Sequence, residues 1–425
     1  MNLLIRNANL NGKLVDISIE GNRFSTIAPN LEGSFDEEFD AKGMLAFPPF
    51  YNCHTHVPMV LLRGYADDLE LFTWLNDHIW PAEENFTSDV TWGKVAIYAG
   101  TRLACLEMIK SGTVFFNDSY FIIDQTIRAV EEMGMRACIG TTWLNTGNAD
   151  KCARLSATND AVRMAYQNGE YSSRTLVAEA PHSIYTVPEK DLREIAERSA
   201  QNGMLIHLHL AETSKEVQDC KKEHYGLTPV EYIKECGLLN KRARLAHAVW
   251  LSPHDIELIK ESGAVLIHNP TSNLKLCSGM FHFKEIDEAG IPFTLGTDGC
   301  ASNNAHSMFS EMKFAALSGK TQAKNPTAAP AERVFRLATA DGAQAFFPEA
   351  GEIAPGKLAD LMLINPDQPY FVGDYNPISN LVYAGESSCV DSLLCDGKFL
   401  MKHRQVEGEA EIIEQARRVC DKFRR

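Results

Sequence analysis

The sequence predicts an α/β protein: a (β/α)8 TIM-like barrel with a small β-sandwich domain formed by both termini. Between residues 47 and 349, eight short apolar runs alternate with longer helical patterns. Polar and titratable residues crowd the C-terminal ends of those runs, where barrels of this kind keep their active sites. Both ends of the chain read as short alternating strands separated by Asn/Gly turns.

Residues 1–46 contain LLIRNANL, LVDISIEG and RFSTIA. Residues 350–404 have the same character in GEIAPGKLADLMLINPD and SCVDSLLCDGKFL, so the two ends are expected to pair into one small β domain. The span 47–349 is expected to be the catalytic barrel. Its eight runs are MLAFPPFYNCHTH, GTVFFNDSY, MRACIGTTW, TLVAEAPHS, MLIHLHLAE, ARLAHAVW, GAVLIHNPTSN and IPFTLGTDG. Each is continuous and apolar, as a parallel strand buried on both faces should be. Helical stretches such as VTWGKVAIYAGTRLACLEMIKSG and EKDLREIAERSAQNG separate them. Residues 405–425 read as a C-terminal helix. There is no internal repeat and no low-complexity segment.

With 425 residues, 45% hydrophobic and 23% charged, the chain is an ordinary globular protein with a sizeable core. The formal net charge of −15 argues against nucleic acid or an anionic membrane as partner, since both need a positive field. A small neutral or zwitterionic substrate fits. Eleven Cys are scattered singly with no CxxC pair, which excludes a zinc knuckle and points to reduced thiols in a cytoplasm. The N-terminus lacks a basic segment followed by a long apolar run, so no signal peptide is expected. No stretch reaches the length of a transmembrane helix.

His54-Thr55-His56 ends the first run. Residues two apart on a strand point the same way, so both imidazoles can reach one ion; taken alone, the pair reads equally well as packing histidines. His209 ends the fifth run, and Glu212 follows it. His207 also has HxH spacing with His209, but His209 brings Glu212 to the mouth, so His207 is read as structural. Asp298 ends the eighth run. Alone, Asp-Gly reads as a turn. With three His on two other strands it completes a four-ligand set that suits zinc and could suit iron or manganese. His182, His247 and His268 end the fourth, sixth and seventh runs; each is either a satisfied core histidine or a substrate-facing one, and the mouth location favours function. His78, His224, His254, His282, His306 and His403 belong to no constellation and read as surface or packing residues. Arg63, Glu83 and Arg154 fall in loops expected to overhang the mouth, and each alone reads as a solvated charge.

Together these residues resemble the amidohydrolase superfamily. Within it the chain is similar to the branch of 5'-methylthioadenosine/S-adenosylhomocysteine deaminases, triazine chlorohydrolases and guanine deaminases. The resemblance covers nearly the whole chain and rests on NCHTHVPMVLLRGYADDL, HLAETSKE, LAHAVWLS, HNPTSNLKLCSG, LGTDGCASNN, TADGAQA and GKLADLMLI. It implies that His54, His56, His209 and Asp298 hold the metal, that Glu212 shuttles protons, and that His247 polarises the attacking water or binds substrate. It further implies that Glu83 in WPAEENFT binds ribose hydroxyls, that His182 touches the nucleoside, and that Arg154 in CARLS contacts the substrate side chain. His268 is a further substrate-side candidate. Where a second arginine would follow MRACIG, this chain has Thr141-Thr142-Trp143. Many superfamily members bridge two metals with a carboxylated lysine on the fourth strand; TLVAEAPHS has no lysine, so one divalent ion is expected, zinc first, with Fe2+ or Mn2+ as alternatives. The expected activity is metal-dependent hydrolytic deamination of adenosine-type nucleosides (5'-methylthioadenosine, S-adenosylhomocysteine, adenosine or 5'-deoxyadenosine), giving the inosine analogue and ammonia. The alternatives are hydrolysis of another heteroaromatic ring (guanine, pterin or s-triazine) and an inactive scaffold. A homodimer or higher homo-oligomer is expected by analogy alone.

Overall fold

The computed structural model describes residues 2–145, 147–373 and 375–423. Met1 of the expected N-terminal strand and Arg424 and Arg425 of the expected C-terminal helix lie outside the described residues.

The central zone is a ring of eight parallel strands in chain order: β6 (Phe50–Thr55), β7 (Thr113–Tyr120), β8 (Arg136–Trp143), β9 (Thr175–Pro181), β10 (Leu205–Leu210), β11 (Ala243–His247), β12 (Val265–His268) and β13 (Phe293–Leu295). Nearly every residue on them is buried, which is why the sequence shows continuous apolar runs rather than alternation. The last strand meets the first through polar groups. Asn52 takes the Thr297 N–H at 2.9 Å and donates to the Thr297 hydroxyl at 2.7 Å. The Asp298 N–H donates to the His54 carbonyl at 2.9 Å. Gly296 sits in this seam; a Cβ there would lie 2.5 Å from Asn269 Oδ1 and 2.8 Å from His54 Cβ, so no side chain fits.

Helices cover the outside, and their ends follow local chemistry. Ser252 and Asp255 form a capping box on the helix Pro253–Ser262. Gly263 closes that helix in the left-handed region at φ +69°, two residues before β12.

The termini supply the other strands: β1 (Asn2–Leu10), β2 (Lys13–Glu20), β3 (Arg23–Ala28), β4 (Glu37–Asp40), β5 (Leu45–Phe47), β14 (Leu361–Ile364), β15 (Val390–Cys395) and β16 (Lys398–Met401). All eight belong to one hydrogen-bonded sheet, ordered β16-β15-β14-β5-β1-β2-β3 with β4 also on β1. The sheet has its own core of Leu3, Ile5, Ile17, Ile19, Phe24, Phe39, Leu361, Leu363 and Leu394. One expectation is corrected here. MLAFPPFYNCHTH is two strands: Leu45–Phe47 pairs with β14, and only Phe50–Thr55 enters the barrel. Pro48 and Pro49 lack the N–H that a ladder needs, so the strand breaks between them.

The sheet and the barrel are joined by buried charge. Arg136 at the start of β8 is 1% exposed and donates to both oxygens of Asp360, at 2.9 and 3.0 Å, and to Asp396 at 2.7 Å. The Tyr51 hydroxyl donates to Asp360 at 2.8 Å. The C-terminal helix Glu409–Phe423 lies on the helix Val90–Lys110 through Lys110–Glu409 at 2.7 Å and Arg102–Glu411 at 3.2 Å. Among the described residues, no helix is long and apolar enough to cross a membrane.

Candidate active site

His54, His56, His209 and Asp298 come together at the C-terminal end of the barrel, all buried, with one ligand atom of each within 4.8 Å of the others. His54 and His56 stand two residues apart at the end of β6, as the spacing predicts. Asp298 Oδ1 lies 3.3 Å from Nε2 of both. The Nε2 atoms of His56 and His209 are 3.2 Å apart.

Proton bookkeeping shows what this geometry needs. His56 Nδ1 faces the Ser119 carbonyl at 2.6 Å, and His209 Nδ1 faces the His182 carbonyl at 2.7 Å. A carbonyl only accepts, so each ring carries its proton on Nδ1 and leaves Nε2 bare. Two bare nitrogens then point at each other beside a carboxylate oxygen. The buried Nε2 of His54 has no hydrogen-bond partner either. Lone pairs converging in this way repel unless a cation lies among them. Burial pushes His54 down to about 4 and holds His56 and His209 below their ordinary value, so all three are neutral at pH 7, the form in which imidazole binds metal. The donor set fits a divalent cation.

The surrounding groups hold these donors in place. His207 Nε2 meets His54 Nδ1 at 2.8 Å, so His207 is the structural neighbour of a candidate ligand, as expected from its place one step below His209. Asp298 Oδ2 accepts from the hydroxyls of Ser272 at 2.6 Å and Ser302 at 2.9 Å, which aims Oδ1 at the imidazoles.

Glu212 and His247 flank the group. Glu212 follows β10, is 6% exposed, and accepts from the Ser278 hydroxyl at 3.1 Å. Burial raises its carboxyl above the ordinary range. His247 ends β11, with Nδ1 bonded to Asn273 Oδ1 at 2.8 Å and 3.9 Å from Glu212 Oε1. Burial pulls this imidazole down, but Glu212 and Asp298 outweigh it and raise the group. Four non-glycine residues here have left-handed backbones: Ala211 (φ +49°), His247 (+73°), Ala248 (+46°) and Asp298 (+62°). Each costs on the order of 1–3 kcal/mol, and such strain clusters where side chains must be aimed. The bonds from Ala248 N to Leu210 O and from Val249 N to Ala211 O, at 2.9 and 3.0 Å, hold the turn.

A narrow cavity of about 70 Å3 lies over these residues. Its floor includes His56, His209, Glu212, His247 and Asp298, and His182 and Glu83 also line it. Its roof is the segment between β6 and the helix Val90–Lys110. There Met59, Leu71, Trp74, Leu75 and Ile79 form part of a separate small core. One turn, Trp74–Ile79, is wound as a π-helix, a distortion often found beside sites. Glu83 is 4% exposed, and burial pushes its carboxyl up to about 7 against the pull of Tyr120 and Lys151. His182 Nδ1 lies 3.0 Å from the Thr186 hydroxyl.

Three residues expected near the mouth lie apart from the cavity lining. Arg154 is exposed on the helix Ala149–Gln167 and lines a different surface groove with Lys94, Ile122 and Leu155, because its helix turns that face away from the mouth. His268 is 3% exposed and not among the residues lining the cavity; it stacks on Phe281 at 4.3 Å. Arg63 does not overhang the mouth: its guanidinium is paired with Glu107. Its neighbour His306, read as isolated, is fully buried 3.4 Å from Cys300 Sγ and 3.7 Å from Glu107. Burial pulls His306 down, but Cys300 and Glu107 push it up to about 10. Glu107, Cys300 and His306 also gather as a possible donor group, but Arg63 already supplies the cation there.

Sequence reasoning missed Ser272, Asn273, Ser302 and Glu216 as positioning residues. Glu216 takes the N–H groups of Ala211 and Glu212, both at 2.8 Å, and so fixes the turn that presents Glu212. The signal was present: all four lie within HNPTSN, GTDGCASNN and HLAETSKE.

The sequence profile of the Amidohydrolase family matches residues 45–400. The chain is 42% identical over 401 residues to a 5'-deoxyadenosine deaminase of Methanothermobacter thermautotrophicus, covering 94% of this chain and 91% of that one. It is 41% identical over 412 residues to a 5-methylthioadenosine/S-adenosylhomocysteine deaminase of Archaeoglobus fulgidus, covering 96% and 95%. Among solved structures it superposes on a zinc-bound adenosine deaminase from Xanthomonas campestris with a TM-score of 0.91 at 30% identity, covering 99% and 98%.

Proposed function

The chain belongs to the amidohydrolase family, and from that premise we propose that it is a zinc-dependent hydrolytic deaminase of adenosine-type nucleosides. The reaction replaces the amino group on the six-membered ring by oxygen, giving the inosine analogue and ammonia. The observation that carries this reading is the convergence of His54, His56, His209 and Asp298 with Glu212 and His247 on one cavity. The names of the relatives, and the zinc in one solved neighbour, support the choice of substrate and metal.

A bound divalent cation supplies a Lewis acid that lowers the pKa of water from about 15.7 to about 7. The protein's own groups do the rest. Glu212, buried and raised, gives a proton to the ring nitrogen beside the amino-bearing carbon and makes that carbon electrophilic. Asp298 accepts the proton lost by the attacking water. His247, held through Nδ1 by Asn273, lines the same cavity and stabilises the charge that develops there. The amine then leaves as ammonia after a second proton delivery. That proton is the one Asp298 took from the water, and Glu212 recovers its own from the hydroxyl that becomes the ring carbonyl; departure of an amine needs a proton and departure of a halide does not, which favours deamination. Glu83 and His182 line the cavity and are proposed to bind the ribose and the nucleoside.

The test is ammonia release from zinc-loaded protein offered adenosine, 5'-deoxyadenosine, 5'-methylthioadenosine, guanine and a chlorotriazine. Release from the nucleosides, with the absorbance change from adenine to hypoxanthine, is the expected result. Silence on the nucleosides with turnover of guanine or the triazine would overturn the substrate and leave the metal site.

A further inference from the structure

From the two turns that flank Asp298 we infer that Glu311 is a positioning residue, which aims Asp298 at the metal by clamping the turns that carry its two hydroxyl partners. The inference rests on the metal-site reading above and concerns a residue outside both the donor group and the cavity lining.

Glu311 stands in the first turn of the helix Met308–Ala323 and is fully buried. Its two carboxylate oxygens go to two different turns. Oε2 accepts the Thr271 N–H at 3.1 Å, and Oε1 accepts from the Asn303 side-chain amide at 2.7 Å. Thr271 is followed by Ser272, and Asn303 is preceded by Ser302. Those are the residues whose hydroxyls grip Asp298 Oδ2, at 2.6 and 2.9 Å. The second N–H of the Asn303 amide donates to the Thr297 carbonyl at 2.6 Å, which ties down the residue before Asp298 as well. One carboxylate thus joins the turn after β12 to the turn after β13, with Asp298 between them.

Packing alone does not explain a carboxylate at this place. The buried neighbours on the same helix include Met308, Met312, Ala315 and Ala316, and an apolar side chain among them would fill the space without desolvating a charge. Burial pushes the Glu311 carboxyl up to about 7 against the pull of Thr271 and Asn303. Both donors are neutral, so the group is held by directed hydrogen bonds. What these bonds restrain is strained: Asp298 is left-handed at φ +62° and Asn304 at +74°. Such backbones persist only where their surroundings over-determine them. Without the clamp the two turns relax, the hydroxyls drift from Oδ2, and Oδ1 loses its aim at His54 and His56. A donor that must be re-aimed on binding lowers metal affinity.

The experiment measures zinc affinity by competition with a chelator, on metal-stripped protein at about pH 8, where Glu311 is ionised. It compares the wild type, Glu311→Gln, Ser272→Ala/Ser302→Ala and the triple variant. Glu311→Gln keeps the volume but turns an amide donor toward one of the two donors. It should weaken zinc binding by about tenfold or more. The double serine variant should weaken it by at least as much. In that background Glu311→Gln should add less than about twofold, because it acts through those hydroxyls. Equal weakening in both backgrounds would mean that Glu311 only supports the fold, and would overturn the inference. Unchanged affinity in folded Glu311→Gln, or in the double serine variant, would overturn it too. Asn303→Leu removes the amide arm at similar size, should show the same dependence on background, and carries the comparison if Glu311→Gln does not fold. A wild type that takes up no zinc would overturn the metal-site reading and this inference together; tight wild-type binding with indifferent variants would overturn the inference alone.

Discussion

Glu212 and Asp298 are both buried carboxylates on the same cavity, and their bonds set them apart. Asp298 is gripped through Oδ2 by two hydroxyls, with Oδ1 among imidazoles. Glu212 has one hydroxyl on Oε1 and a burial-raised affinity for a proton. Fixed geometry suits a ligand, and a carboxyl that keeps its proton until the substrate is bound suits an acid. Glu212→Gln should therefore lower kcat by about 100-fold or more while bound metal stays at the wild-type level; near-normal turnover would refute the assignment. Asn273→Ala removes the acceptor that fixes the His247 tautomer. A fall in kcat of about 10-fold to 100-fold with metal content intact is expected, and steady-state kinetics with elemental analysis reads both. An unchanged kcat would mean that the amide does not position the imidazole.

At the scale of elements, the eight barrel runs were legible because parallel strands buried on both faces have no polar side to interrupt them. The join at Pro48-Pro49 was misread: an apolar run carries no mark of which sheet each half enters, and only the missing N–H groups betray the break. His54, His56, His209 and Asp298 were legible because each ends a strand, so its direction follows from local geometry. Ser272 and Asn273 fall within HNPTSN, but their roles were not legible: each acts on a residue 26 positions away on another turn, and spacing along the chain says nothing about that distance. The position of Arg154 in another groove was not legible for a related reason, since the face a loop-proximal helix turns outward is decided by packing. The join between barrel and terminal sheet rests on Asp360, which answers Arg136 and Tyr51 at once. Asp360→Ala removes two of the three hydrogen bonds from buried Arg136 to carboxylates and leaves it Asp396 alone. It should lower stability to denaturant by about 3–5 kcal/mol, and a loss under about 1 kcal/mol would show that the junction does not depend on this pair.

At the scale of the whole molecule, one buried histidine links stability to pH. Folded His306 keeps its proton up to about 10 beside Cys300 and Glu107, whereas an unfolded histidine releases it near about 6.5. The folded state thus binds the proton more tightly. Its contribution to stability is full below about pH 6.5 and is lost as the pH rises through about 10. Thermal unfolding of the wild type should weaken across that window relative to His306→Asn, and parallel curves would contradict the pairing. The barrel gathers four donors at the C-terminal end of its strands, with Glu212 on the same cavity. The measurement that tests this most directly is a titration of metal-stripped protein with zinc, following ammonia release from 5'-methylthioadenosine. The account predicts no turnover without metal, a linear rise, and a plateau at one equivalent, with Asp298→Asn flat throughout. Full activity in the stripped protein, or a plateau only at two equivalents, would contradict it.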